Sequence, residues 1–119
     1  MELNEYQHQA MSTCMESCNN IAYMLTGLTA EVGEVNDKIA KAVRKEQIKI
    51  TRNNLCVWDN RTPPNFKEEL AKEIGDVLWF CSGLAKLLDY SLEDIAKMNL
   101  DKLASRQQRG VIDGNGDNR

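Results

Sequence analysis

The stretch GLTAEVGEVNDKIAK, residues 27–41, sets apolar residues at helical spacing and places two carboxylates beside them. Successive residues of an α-helix advance by about 100°. With Leu28 at zero, Val32, Val35 and Ile39 fall within about 40° of it, whereas Glu31 and Glu34 lie at about −60° and −120°. The segment is therefore an amphipathic helix with two acids on one edge of its apolar stripe. The stretch EELAKEIGDVLWFCSGLAKLL, residues 68–88, repeats that layout. With Leu70 at zero, Ile74, Val77, Cys81 and Leu84 share the stripe, and Glu73 and Asp76 again sit at about −60° and −120°. Each pair has a glycine between its acids, Gly33 or Gly75.

Working outward, the two prolines are adjacent, Pro63 and Pro64, so the rest of the chain lacks an obligatory helix breaker. A first helix is expected from about Leu3 to Leu25, on the spacing of Tyr6, Ala10, Met11, Cys14, Cys18, Ile21 and Leu25. Gly27 marks a weak point before the second helix, which is expected to run to about Lys49. Residues 46–65, containing TRNNLCVWDNRTPPN, read as a loop. The third helix starts near Phe66 and extends to Leu88. Ser91, with Asp94 three residues on, opens a fourth helix in the manner of a capping box. Residues 110–119 form a glycine-rich tail. No segment alternates as a half-buried strand does. The expected fold class is all-α, a four-helix bundle-like protomer in a single domain spanning residues 1–119.

Charge and composition narrow the function. The chain has 119 residues, 28% of them charged and 42% hydrophobic, with a net charge of −3. That balance offers no general attraction to a phosphate backbone or an anionic membrane, so neither nucleic acid nor a membrane is expected as a partner. No apolar run reaches the roughly 20 residues needed to span a bilayer, and MELNEYQHQ lacks the basic start and apolar core of a signal peptide. A cytoplasmic location is expected, with Cys14, Cys18, Cys56 and Cys81 as reduced thiols rather than disulfides or a zinc site.

Two readings of the acids remain open on spacing alone. Glu31, Glu34, Glu73 and Asp76 could line solvated helix borders. If the two acidic edges face each other, however, four carboxylates enter a small volume, where like charges raise each other's pKa. A hard divalent cation with all-oxygen ligands, Mg²⁺ or Mn²⁺, relieves that repulsion and binds phosphate oxygens with its remaining positions.

The paired ExxE and ExxD motifs, together with NEYQHQAMST at the start and NLDKLASRQQRGVIDGNGDNR at the end, resemble the MazG-like branch of the all-α nucleoside triphosphate pyrophosphohydrolases, which share a superfamily with the dimeric dUTPases. The resemblance covers nearly the whole chain apart from residues 46–65. It implies cleavage of a (d)NTP between the α and β phosphates, giving a (d)NMP and pyrophosphate. It also implies that Glu31, Glu34, Glu73 and Asp76 are the metal ligands and that one of them positions or deprotonates the attacking water. Asn99 and Lys102 match positions that face the nucleotide and its phosphates, and Arg106 and Arg109 continue that basic edge. Lys38 and Lys41 lie near the acidic edge in angle and either steer phosphate or offset charge, with Lys38 carried as a substrate-binding candidate. Glu69 is a possible outer ligand.

His8, the sole histidine, is expected to be a surface or partly buried residue, and one histidine cannot supply the two Glu-x-x-His motifs of a ferritin-like di-metal bundle. Trp58 in the loop and Trp79 in the third helix could each stack on a base. Trp79 lies at about 180° from its helix's core stripe and is expected to fill a subunit interface in a homodimer or homotetramer, an assembly the resemblance also implies. The 38 residues between Glu34 and Glu73 exceed those of compact members and leave base preference open. The alternative from another class is a non-catalytic helical module that binds nucleotide or a protein partner.

Overall fold

The computed structural model describes residues 1–52 and 57–119, with the side chains of Val57 and Trp58 also left aside. Four α-helices make the fold: α1 (Leu3–Met11), α2 (Ile21–Arg44), α3 (Phe66–Leu87) and α4 (Leu92–Gln108). It is all-α apart from one two-residue antiparallel pairing between β1 (Ile48–Lys49) and β2 (Val57–Trp58), with Ile48 opposite Trp58. No helix among the described residues is long and apolar enough to cross a membrane.

The single first helix expected over residues 3–25 is two helices with a break between them. Ser12 Oγ and Thr13 Oγ1 donate to the carbonyls of Gln9 and Ala10, drawing the backbone out of helical continuation. A 3₁₀ turn follows at Glu16–Cys18. Asn20 then caps α2, its Oδ1 accepting from the Tyr23 N–H at 2.8 Å. Gly27 therefore lies inside α2 and marks no weak point. α3 begins where expected, after Pro63 and Pro64, and Ser91 caps α4 by accepting from the Asp94 N–H at 3.0 Å.

α2 and α3 pack antiparallel, as their contacts show. Met24 meets Gly83, Gly27 meets Phe80, and Lys38 faces Glu69 and Glu73, while Ala42, Ile48 and Phe66 form a small core at the loop end. Two glycines allow the close approach. A Cβ on Gly27 would stand 2.0 Å from the Phe80 ring, and one on Gly83 2.3 Å from the Met24 sulfur.

Over its middle the seam runs along the acidic edges of the two helices, and their apolar stripes join it at the loop end, where Ile39 and Leu70 pack against the small core. Those stripes were expected to be the core, yet Val32 remains 45% and Ile74 57% exposed. The glycine–aromatic contacts draw the helices together about 60–100° away from the stripe centres, which turns Val32 and Ile74 toward solvent.

α1 lies across the other side of α3. Gln7 is buried there, its Nε2 donating to the Ser82 and Tyr90 carbonyls while its Oε1 accepts from the Leu92 N–H at 3.0 Å. One side chain thus joins α1, α3 and the start of α4. Beyond that junction α4 leans away, leaving Ile95, Met98, Leu100 and Leu103 exposed. The Cα radius of gyration is 17.6 Å, against about 13–14 Å for a compact chain of this length. The protomer is an open arrangement of four helices and not a closed bundle.

Candidate metal and nucleotide site

The antiparallel register of α2 and α3 carries the chemistry. Each step forward on α2 is a step back on α3, so Glu31 faces Glu73 and Asp76. Carboxylate oxygens of these three residues lie within 4.8 Å of one another. The donor set is all carboxylate oxygen, the chemistry that a hard cation such as Mg²⁺ takes. Among the described residues this is the grouping of His, Cys, Asp and Glu side chains that could hold a metal. Cys14, Cys18 and Cys81 are free thiols outside any such group, and Cys56 lies outside the described residues.

Glu34 is exposed and stands apart from the trio, yet its charge reaches it. The Glu31 carboxyl is held above the usual carboxylate range by burial, then by Asp76, Glu73 and Glu34. Lys38 supplies the local counter-charge, its Nζ lying 3.3 Å from Glu73 and 4.0 Å from Glu69. Glu69 also accepts from Lys72 at 3.0 Å, the contact that does most to lower its pKa. Lys41 pairs with Asp37 on its own helix and not with the cluster.

An aromatic cleft adjoins the acids, lined by Tyr23, Glu31, Asp76, Trp79 and Phe80 and enclosing about 300 Å³. Phe80 is its buried floor, with the Tyr23 ring centroid 5.6 Å away and Trp79 edge-on at 5.0 Å. Trp79 is packed within its own chain. Its Nε1–H donates to Thr13 Oγ1 at 2.9 Å and to the Ala10 carbonyl at 3.1 Å, both in the same chain. The Trp58 side chain lies outside the described residues.

Tyr6 approaches from α1, its phenol pushed up by burial and then by Asp76 and Cys81. Tyr6, Tyr23 and Phe80 were not singled out as site residues by the sequence reading. Phe80 was accessible in principle, one helical turn beyond Asp76 on the same edge. Tyr6 was not, because nothing local records the fold of α1 over α3.

The α4 candidates stand elsewhere. Asn99 and Lys102 line a shallow groove with Ile95 and Met98, and among the described residues no hydrogen bond or ion pair joins them to the acids. Arg106 is buried beneath the C-terminal segment, and Arg109 donates to Ser105 Oγ and to the backbone oxygen of Arg119. His8 is exposed, as expected, beside a separate cleft between α1 and the end of α3.

An all-α hairpin with a cation-sized acidic cluster at its centre is the setting in which the comparisons fall. The chain belongs to the MazG nucleotide pyrophosphohydrolase domain family, whose model matches residues 19–111. That span takes in α2, α3, α4 and all four acids. A relative of full-length overlap is the Gene 37 protein of Mycobacterium phage L5, 35% identical over 126 residues and covering 100% of both chains. No solved structure was found to match.

Proposed function

We propose that the protein is a Mg²⁺-dependent nucleoside triphosphate pyrophosphohydrolase that cleaves a (d)NTP into a (d)NMP and pyrophosphate. The observation that carries this reading is the convergence of Glu31, Glu73 and Asp76 within 4.8 Å at the seam of a family domain, beside an aromatic cleft. These three acids would hold the ion, with Glu34 as a further candidate ligand from the adjacent turn. Mg²⁺ or Mn²⁺ held there would supply charge neutralisation for the triphosphate and polarisation of the phosphorus under attack. One carboxylate of the set orients the attacking water. Tyr23, Trp79 and Phe80 offer ring faces on which a base stacks. Lys38, 3.3 Å from Glu73, is placed to meet a phosphate bound beside the acids, and Asn99, Lys102 and Arg106 from α4, with Arg109 at its C-terminal end, would supply further polar contacts.

The same reading includes assembly as a homodimer or homotetramer. It is supported by the exposed stripes of α2 and α3, the bare apolar face of α4 and the large radius of gyration. A second copy laid over those faces would bury them and bring α4 cations toward acids of its neighbour. Sedimentation is expected to give a dimer or tetramer, and a stable monomer would remove this part of the reading.

The activity is tested by incubating the protein with the canonical NTPs and dNTPs plus Mg²⁺ while measuring pyrophosphate and monophosphate release. Turnover of at least one nucleotide is expected, lowered by about 100-fold or more in Glu73→Gln with helicity unchanged. No turnover above the Glu73→Gln background for any nucleotide would end the enzyme reading.

A further inference from the structure

The glycine-rich tail closes into a folded clasp. The Arg119 guanidinium donates to the carbonyls of Val111 at 3.0 Å, Gly116 at 2.6 Å and Ile112 at 3.3 Å, closing residues 111–119 on themselves. Arg109 ties the unit to α4 through the Arg119 backbone oxygen at 2.7 Å. The clasp presents one carboxylate to α4. Asp117 Oδ1 lies 3.1 Å from Arg106 Nη2 and 3.4 Å from Lys102 Nζ, and the two cations hold its carboxyl below the usual range.

Three features of this contact fit a displaceable anion better than a fixed cap. The Arg106 side chain is only 6% exposed while that of Asp117 is 84% exposed, so the anion reaches the cations from the solvent side. The guanidinium is also incompletely used. All three of its acceptors, the Gly116 and Asp117 carbonyls and Asp117 Oδ1, crowd on Nη2. Nε is buried with no partner, although the guanidinium fork is built to meet two oxygens of one anion. A phosphate has the oxygens to satisfy the fork and Lys102 together, which one carboxylate oxygen does not.

We propose that residues 111–119 form an autoinhibitory clasp in which the Asp117 carboxylate occupies the Lys102–Arg106 anion site and must leave before a polyphosphate can bind there. This rests on the nucleotide reading above for its biological meaning, but the competition itself is a property of the tail and α4.

The test uses the full chain. Asp117→Asn keeps the shape and the acceptor oxygen and removes the charge, and Asp117→Glu restores the charge. Calorimetric titration with inorganic tripolyphosphate, without metal, is expected to give an affinity about threefold tighter for Asp117→Asn than for wild type, with Asp117→Glu returning to the wild-type value. With the nucleotide that the wild type turns over, the KM of Asp117→Asn should fall by a similar factor at unchanged kcat. A clasp that is only a structural cap would lower Tm in Asp117→Asn and leave tripolyphosphate affinity and KM at wild-type values, which would overturn the proposal. Failure of the wild type to hydrolyse any nucleotide would sink the enzymatic reading instead, and the tripolyphosphate titration would still decide the clasp.

Discussion

Along the α2/α3 seam three acids gather with Lys38 set against them, whereas on α4 two cations gather around the carboxylate of Asp117. The clasp balances its charge with a piece of the same chain. The seam does so only in part, leaving Glu31 raised by burial and then by its acidic neighbours, with an excess of negative charge that an external cation can relieve. The seam is also rigidly built, with aromatic and thioether groups seated on two glycines. α4 leans on the rest of the protomer mainly at its first turn. The difference teaches where binding energy can be taken up. The seam carries unbalanced negative charge that a cation would relieve, whereas the cations of α4 already hold a carboxylate.

The largest expected effect breaks the seam. Gly27→Ala places a methyl group inside the Phe80 ring and should cost about 2–3 kcal/mol in thermal or denaturant unfolding. Gly75→Ala, in the middle of α3 where a Cβ meets nothing within 4 Å, should stabilise by about 0.5–1 kcal/mol instead. Equal effects at the two positions would mean that the seam is not the close contact described.

The smallest effect sharpens the electrostatic side. Glu31 has a folded-state pKa above its unfolded value, so the native state binds more protons in the window just above the ordinary carboxylate range. Stability attributable to Glu31 is therefore present below that window and lost as pH rises through the raised value. In metal-free protein at pH 7, Glu31→Gln should raise Tm by about 2 °C; added Mg²⁺ should raise the Tm of the wild type and have little effect on that of Glu31→Gln. A lower Tm in metal-free Glu31→Gln would show that repulsion within the cluster is not what Glu31 feels.

Much of this was legible in the sequence, for identifiable reasons. α3 and α4 announced themselves through the prolines before Phe66 and the Ser91–Asp94 cap, both local signals. The matched angular offsets of the two acidic pairs bring the acids together only if the two edges face each other, which they do for Glu31, Glu73 and Asp76, while Glu34, expected with them, stands apart. The break at residues 12–20 was hidden because Tyr6 to Leu25 keep helical spacing across it, and the polar run STCMESCNN counted for less than that rhythm. The side of each stripe that faces its neighbour was also out of reach, since periodicity gives a stripe's width but not the edge chosen by Gly27 and Gly83. The burial of Arg106 depends on the Arg119 guanidinium closing an aperiodic tail over it, which no spacing rule describes.

The anchoring of Trp79 has an optical consequence. The chain has two tryptophans, and the Trp79 indole is tethered by its N–H to Ala10 and Thr13 while its ring borders the cleft shared with Glu31 and Asp76. In a Trp58→Phe background its emission becomes a single-site reporter of charge and water in that cleft. Whether a cation occupies the seam can then be tested by a spectral titration that needs no substrate and no turnover.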